Sequence, residues 1–259
     1  MSGAAPGIDV QLRTEPRGSV ATVTVDNRRK LNTLNSALMR DFIAKVEALG
    51  ARDDLRVLIL TGAGEAAFIG GASIDEMAVM GRPGARDFIT LVHGCCNCLR
   101  QLPVPVIARI DGYALGAGLE VAVSCDLRIA TARAKFGMPE VKVGLPSVVE
   151  AALIPKLIGW GRARELLLTG DSIDADTALR WGLVERVVAP AELDREVDKI
   201  VDALLAAGPH AVRSQKRLMR EWENLPTDRA IAAGIDALVG AFETDEPERL
   251  LTAFLNRKR

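Results

Sequence analysis

The segment RVLILTGAG, residues 56–64, most limits how this chain can fold. It is a continuous apolar run of strand length ending in glycine, the pattern of a strand covered on both faces. Such cover arises when helices cross over a parallel sheet. The neighbouring segments agree. SVATVTVD (19–26) is rich in β-branched residues and alternates, as strands do. Asn35–Ser36 then caps ALMRDFIAKVEAL, whose apolar residues recur at helical spacing. VPVIARIDG (104–112) and DLRIATA (126–132) read as further strands. This alternation predicts an α/β fold with parallel strand pairing.

A later unit, RARELLLTGDSIDADTALRWGLVERVV, continues the theme. Asp174 caps a short helix, Gly182 ends it, and LVERVV returns as a strand. From about residue 192 the pattern is helical only, with polar breaks at 208–210, 223–226 and 245–247. The expected division is a core, 1–195, followed by a C-terminal helical region, 196–259. That region either packs on a neighbouring chain or covers its own core. A chain of 259 residues suffices for one such large domain.

Charge and cysteine usage narrow the partners. A net charge of −1 and a pI near 6.2 argue against binding nucleic acid or an anionic membrane through net charge. The opening MSGAAPGIDV has no basic n-region and no apolar h-region, so no signal peptide is expected. No run approaches the ~18 apolar residues of a membrane span. Cys95, Cys96, Cys98 and Cys125 lack zinc-knuckle spacing, and the only histidines are His93 and His210. The expectation is therefore reduced thiols serving as small apolar side chains, no metal, and a cytoplasmic protein.

Chemistry concentrates in three places. In EAAFIGGASIDEM (65–77), Gly70–Gly71 permits a tight turn, and Ser73-x-x-Glu76 has the form of a capping box that starts a helix near Ile74. The N–H groups around Ala72 and Ser73 are free at that helix start and can receive an anion; an ordinary strand–turn–helix corner reads the same way. In GYALGAGLEVAVSC (112–125), Leu115-Gly116-Ala117-Gly118 offers a second such donor at Ala117. One charge, Glu120, interrupts that apolar helix near its positive end, either in a salt bridge or at work. In KFGMPEVKVGLP (135–146), Glu140 follows Pro139 in a loop. Singly it reads as a surface residue; with Glu120 it completes a carboxylate pair. Two carboxylates are what adding water to a double bond requires, one taking a proton from water and one delivering a proton to the neighbouring carbon. Two backbone donors would stabilise charge on a conjugated thioester oxygen.

Together these segments resemble the enoyl-CoA hydratase (crotonase) superfamily over nearly the whole chain. NRRKLNTLN (27–35), LTGAGEAAFIGGASIDEM (60–77), PVIARIDGYALGAGLEVAVSCDLRIATARAKFGMPEVKVGL (105–145), LLLTGDSIDADTALRWGLVERVV (166–188) and the final FETDEPERLLTAFLNRKR carry the resemblance. It implies a spiral of ββα units with a C-terminal helical region that builds trimers or hexamers. It further implies a coenzyme A thioester substrate and no separate cofactor. By resemblance, Glu120 and Glu140 match the hydratases' acid–base residues, and Ala72 and Ala117 match the oxyanion donors. The acyl-CoA contacts would be Arg28, Lys30, Leu31, Gly70, Ala72, Ser73, Ile74, Leu115, Gly116, Ala117 and Pro139, with Arg28 and Lys30 at the coenzyme A phosphates. One departure stands out: where the family has P-G-x-G-G-T, this chain reads GLPSVVEAALIP (144–155), which places a third acid, Glu150, near the site, either facing the acyl pocket or in a structural or surface role. The expected reaction is reversible syn hydration of a 2-enoyl-CoA. The alternatives are another acyl-CoA reaction of the same fold, such as double-bond isomerisation, or a hydratase or hydrolase reaction on a branched or functionalised acyl group. RNA binding, known on this fold with a lysine-rich helix, is disfavoured by the mixed charge of residues 37–56. A serine hydrolase is disfavoured because Ser124 has no histidine near it in sequence.

Overall fold

The computed structural model describes residues 5–257. The chain opens with an antiparallel hairpin, β1 (Gly7–Glu15) and β2 (Gly18–Asp26), turning at Pro16–Arg17. Its first strand is half exposed and carries too few apolar residues to stand out in the sequence. Helix α1 (Ser36–Gly50) starts as expected, with Asn35 Oδ1 accepting the Leu38 N–H at 2.8 Å. The run at 56–64 forms β3 (Leu55–Gly62), buried at every position.

From β3 onward, a unit of two short strands and a helix repeats. β3 leads to β4 (Ala67–Ile69), then to α2 (Ile74–Met77) and the long α3 (Arg82–Gln101). β5 (Val106–Ile110) leads to β6 (Tyr113–Leu115) and α4 (Ala117–Val123). β7 (Leu127–Thr131) leads to β8 (Lys135–Gly137), two 3-10 turns and α5 (Ile154–Thr169). β9 (Ile173–Asp174), α6 (Ala175–Trp181) and β10 (Arg186–Val188) close the core, with Asp174 capping α6 and Gly182 ending it. The first strand of each unit enters a six-stranded sheet of order β1-β2-β3-β5-β7-β10, and the second enters a four-stranded sheet of order β4-β6-β8-β9. Successive strands within each sheet pair in parallel except the β1–β2 hairpin and β8–β9. This is the α/β spiral of ββα units that the resemblance implies.

Alternation along β3 explains why its sequence is apolar throughout. Leu58 and Leu60 point into the main core, whereas Val57 and Ile59 point to the other face. That second face is covered by α7 (Leu193–Ala206), whose Leu193, Val197, Val201 and Leu205 recur every four residues against Val20, Ile107 and Ile129. The division expected at 195/196 therefore falls inside a helix that packs on the core sheet, although the helix-only pattern begins where it was expected, after β10. α8 (Pro209–Trp222) is pinned by the buried Lys216, which donates to Leu99 O, Val104 O and Asp126 Oδ2 at 3.1, 2.9 and 2.7 Å. α9 (Thr227–Ala241) buries none of its residues and exposes Ile231, Ile235, Leu238 and Val239. α10 (Glu246–Arg257) exposes Leu251, Phe254 and Leu255. Among the described residues no helix is long and apolar enough to cross a membrane.

Candidate active site

Two strand-to-helix turns of the spiral meet at one cavity of about 250 Å³. One follows β4 and carries Ala72; the other follows β6 and carries Ala117. Both alanines line the cavity, and among the described residues neither amide N–H has an acceptor. The second turn depends on glycine twice. Gly116 takes φ 51°, ψ −122°, and a Cβ there would lie 2.4 Å from Glu140 Oε1. Gly118 lets α4 rest directly on β4, since a Cβ there would lie 1.9 Å from the Ile69 carbonyl oxygen. That contact brings the two donor turns together.

Glu120 sits in the first turn of α4 and is 3 % exposed. Burial strips water from its carboxylate and the negative Glu140 lies nearby, so its pKa is pushed up to about 8. Against that trend, its Oε1 accepts the Ala151 N–H at 3.2 Å. Glu140 stands in the first turn of a 3-10 helix, Pro139–Val143, and its Oε2 accepts the Ser147 hydroxyl at 2.7 Å. Both carboxylates line the cavity.

The departure at 144–155 proves central to this geometry. Leu145, Pro146 and Val148 line the cavity, Ser147 holds Glu140, and Ala151 holds Glu120. Where glycine would be at ease, Val149 adopts φ 41°, a left-handed conformation that costs a β-branched residue roughly 1–3 kcal/mol. Of the roles open to Glu150, the structural one is taken and the pocket-facing one is not. Glu150 is 8 % exposed but is absent from the cavity lining, because the 3-10 helix Val149–Leu153 packs it towards α3, where its Oε1 lies 2.8 Å from His93 Nδ1.

The remaining expected contacts divide. Gly70, Ile74, Leu115 and Pro139 line the cavity; Leu31, Ser73, Arg28 and Lys30 do not. Ser73 caps α2 by accepting from the Glu76 N–H, but the capping box is only half formed. The Glu76 carboxylate instead receives the Ser36 N–H and hydroxyl, tying α2 to α1. Arg28 pairs with Asp26 at 2.8 Å, and Lys30 pairs with Asp75, all of them on the surface. The four cysteines are buried and unpaired as disulfides, with burial pushing the Cys98 and Cys125 thiols up to about 12. Ser124 donates to the Glu120 carbonyl oxygen at 2.8 Å. Ser147, Ala151 and His93 carried no sequence signal: each acts through a partner 7 to 57 residues away.

Comparison with known proteins agrees with this geometry. The family described as Enoyl-CoA hydratase/isomerase matches residues 15–259. The chain is 36 % identical to a short-chain-enoyl-CoA hydratase of Clostridium acetobutylicum, over 95 % of this chain and 94 % of that one. It is 37 % identical to a crotonyl-CoA hydratase of Syntrophomonas wolfei subsp. wolfei, over 95 % of each. The crystal structure of an enoyl-CoA hydratase from Bacillus anthracis superposes with a TM-score of 0.92 at 33 % identity, covering 96 % of both chains. With matching motifs, spiral fold and nearly full-length similarity, the chain belongs to the enoyl-CoA hydratase/isomerase family.

Proposed function

We propose that the protein hydrates a 2-enoyl-CoA to the 3-hydroxyacyl-CoA, reversibly and with syn stereochemistry. One observation carries the reading: two carboxylates, one of them disposed to hold a proton at neutral pH, share a cavity with two unpartnered amides. The thioester carbonyl oxygen would sit between the Ala72 and Ala117 N–H groups. A water between Glu120 and Glu140 would lose one proton to an ionised carboxylate as its oxygen bonds to the β-carbon. The protonated carboxyl would deliver a proton to the α-carbon. Both deliveries come from one side of the double bond, hence syn addition. Negative charge passes onto the thioester oxygen, and the two amides lower its energy, each being worth roughly 10²–10³ in rate. The carboxylate pair ends with as many protons as it began.

The apolar side chains of Met77, Phe88, Val92, Leu145 and Val148 suit a short, unsubstituted acyl group in a cavity of about 250 Å³. Arg28 and Lys30 would meet the coenzyme A phosphates by exchanging their surface carboxylate partners. The exposed apolar faces of α9 and α10 support assembly with further copies of the chain. The deciding experiment is crotonyl-CoA hydration by Glu120→Gln and Glu140→Gln. Each is expected to lose roughly 10²–10⁴ in kcat while retaining thioester binding. A near-wild-type rate in either variant overturns the assignment.

A further inference from the structure

His93 and Glu150 lie outside the cavity lining and outside every segment that carries the family resemblance's acid–base or oxyanion residues. His93 stands on α3 with its side chain 51 % exposed, and its Nδ1 meets the buried Glu150 Oε1. Glu150 Oε2 is buried and has no hydrogen-bond partner among the described residues. A buried carboxylate left half satisfied is costly unless its charge is offset or its proton retained. The side chains facing it are few. From α3 come His93 and Cys96, and from α4 comes Glu120. On α5, Lys156 donates to the Glu223 carbonyl oxygen. His93 is thus the basic group placed to offset Glu150.

The backbone joins this pair to the cavity. Val149, immediately before Glu150, holds the strained φ of 41°. Ala151, immediately after, donates its N–H to Glu120 Oε1. A strained residue persists only when its surroundings over-determine it. The His93 contact fixes the side chain between the strained residue and the donating one. Electrostatics join them as well, because a negative Glu150 disfavours a second negative charge on Glu120.

We infer that His93 and Glu150 form a positioning pair for Glu120, clamping the turn that aims the Ala151 N–H at its carboxyl. This inference rests on the hydratase reading, since it concerns a carboxyl that reading uses.

The test is crotonyl-CoA hydration by variants of the pair, with kcat and KM read separately. Glu150→Ala opens the clamp and loses roughly ten- to a hundredfold in kcat while KM stays nearly constant, and Glu150→Gln, which keeps the side-chain volume and an acceptor for the His93 ring, recovers most of it. His93→Ala loses kcat in the same way, and His93→Gln, which keeps a donor, recovers most of it. Wild-type kcat in Glu150→Ala or His93→Ala, or no recovery in the glutamine variants, overturns the inference. His93→Ala changes a half-exposed side chain and carries the test even if the Glu150 variants fail to fold. Wild-type protein inactive on every enoyl-CoA overturns the hydratase reading, whereas an active enzyme whose kcat is unmoved by these variants overturns only the pair.

Discussion

Glu120 Oε1 accepts the Ala151 N–H at 3.2 Å, so the most buried carboxylate of the cavity is held by the segment in which this chain departs from its family's glycine-rich loop. The other carboxylate, Glu140, is held by the same segment through Ser147. A stretch that loses its glycines thereby gains control over both acids.

The proton on the pair sets the pH range of activity. Glu120 is pushed up to about 8 by burial and by Glu140, so hydration needs a proton that is lost above that value. We expect kcat/KM for crotonyl-CoA to be steady below about pH 8 on the basic side and to fall about tenfold per unit beyond it. A profile still flat at pH 9.5 contradicts this.

The same shift affects folding stability. The folded state holds the Glu120 proton more firmly than the unfolded chain, whose value is near 4.5. Its contribution is therefore fully present below about pH 4.5 and is lost as pH rises through about 8. Glu120→Gln has nothing to ionise there. Its stability relative to wild type should rise between pH 5 and 9 by on the order of a few kcal/mol, read from urea midpoints. A difference that does not change with pH refutes the buried, proton-holding state.

Gly116→Ala combines backbone strain with a Cβ placed 2.4 Å from Glu140 Oε1. The turn must shift, moving the Ala117 N–H and the Glu140 carboxylate together. A loss of roughly 10²–10³ in kcat is expected, comparable to removal of one oxyanion donor. Full activity in this variant would mean that the donor turn is not part of the site.

Ser147→Ala removes the hydroxyl donated to Glu140 Oε2 at 2.7 Å. A hydrogen bond to a charged group is worth roughly 1.5–3 kcal/mol, so kcat should drop about ten- to a hundredfold with circular dichroism unchanged. Ser147→Thr, which keeps the hydroxyl, should retain more activity than Ser147→Ala.

Much of this was legible in the residues. The apolar run of β3, the Asn35 and Asp174 caps and the glycine after α6 appear where local pattern placed them. Less was legible where a long-range partner overrode a local one. Glu76 left its capping box for Ser36, and α7 joined the core because the outer face of the sheet needed cover. Glu150, two residues after the pocket-lining Val148, turned away to His93 on another helix.

The sequence by itself determined the strand and helix periods, the two glycine turns and the identity of the two acids near them, because these depend on spacing and on backbone freedom within a few residues. Only the tertiary structure decided which acid is buried enough to hold a proton, which amides are left unpartnered and which side chains support each carboxylate. Desolvation and charge proximity are properties of space, and residues 31 or 57 positions apart acquire them only when the spiral folds them into contact.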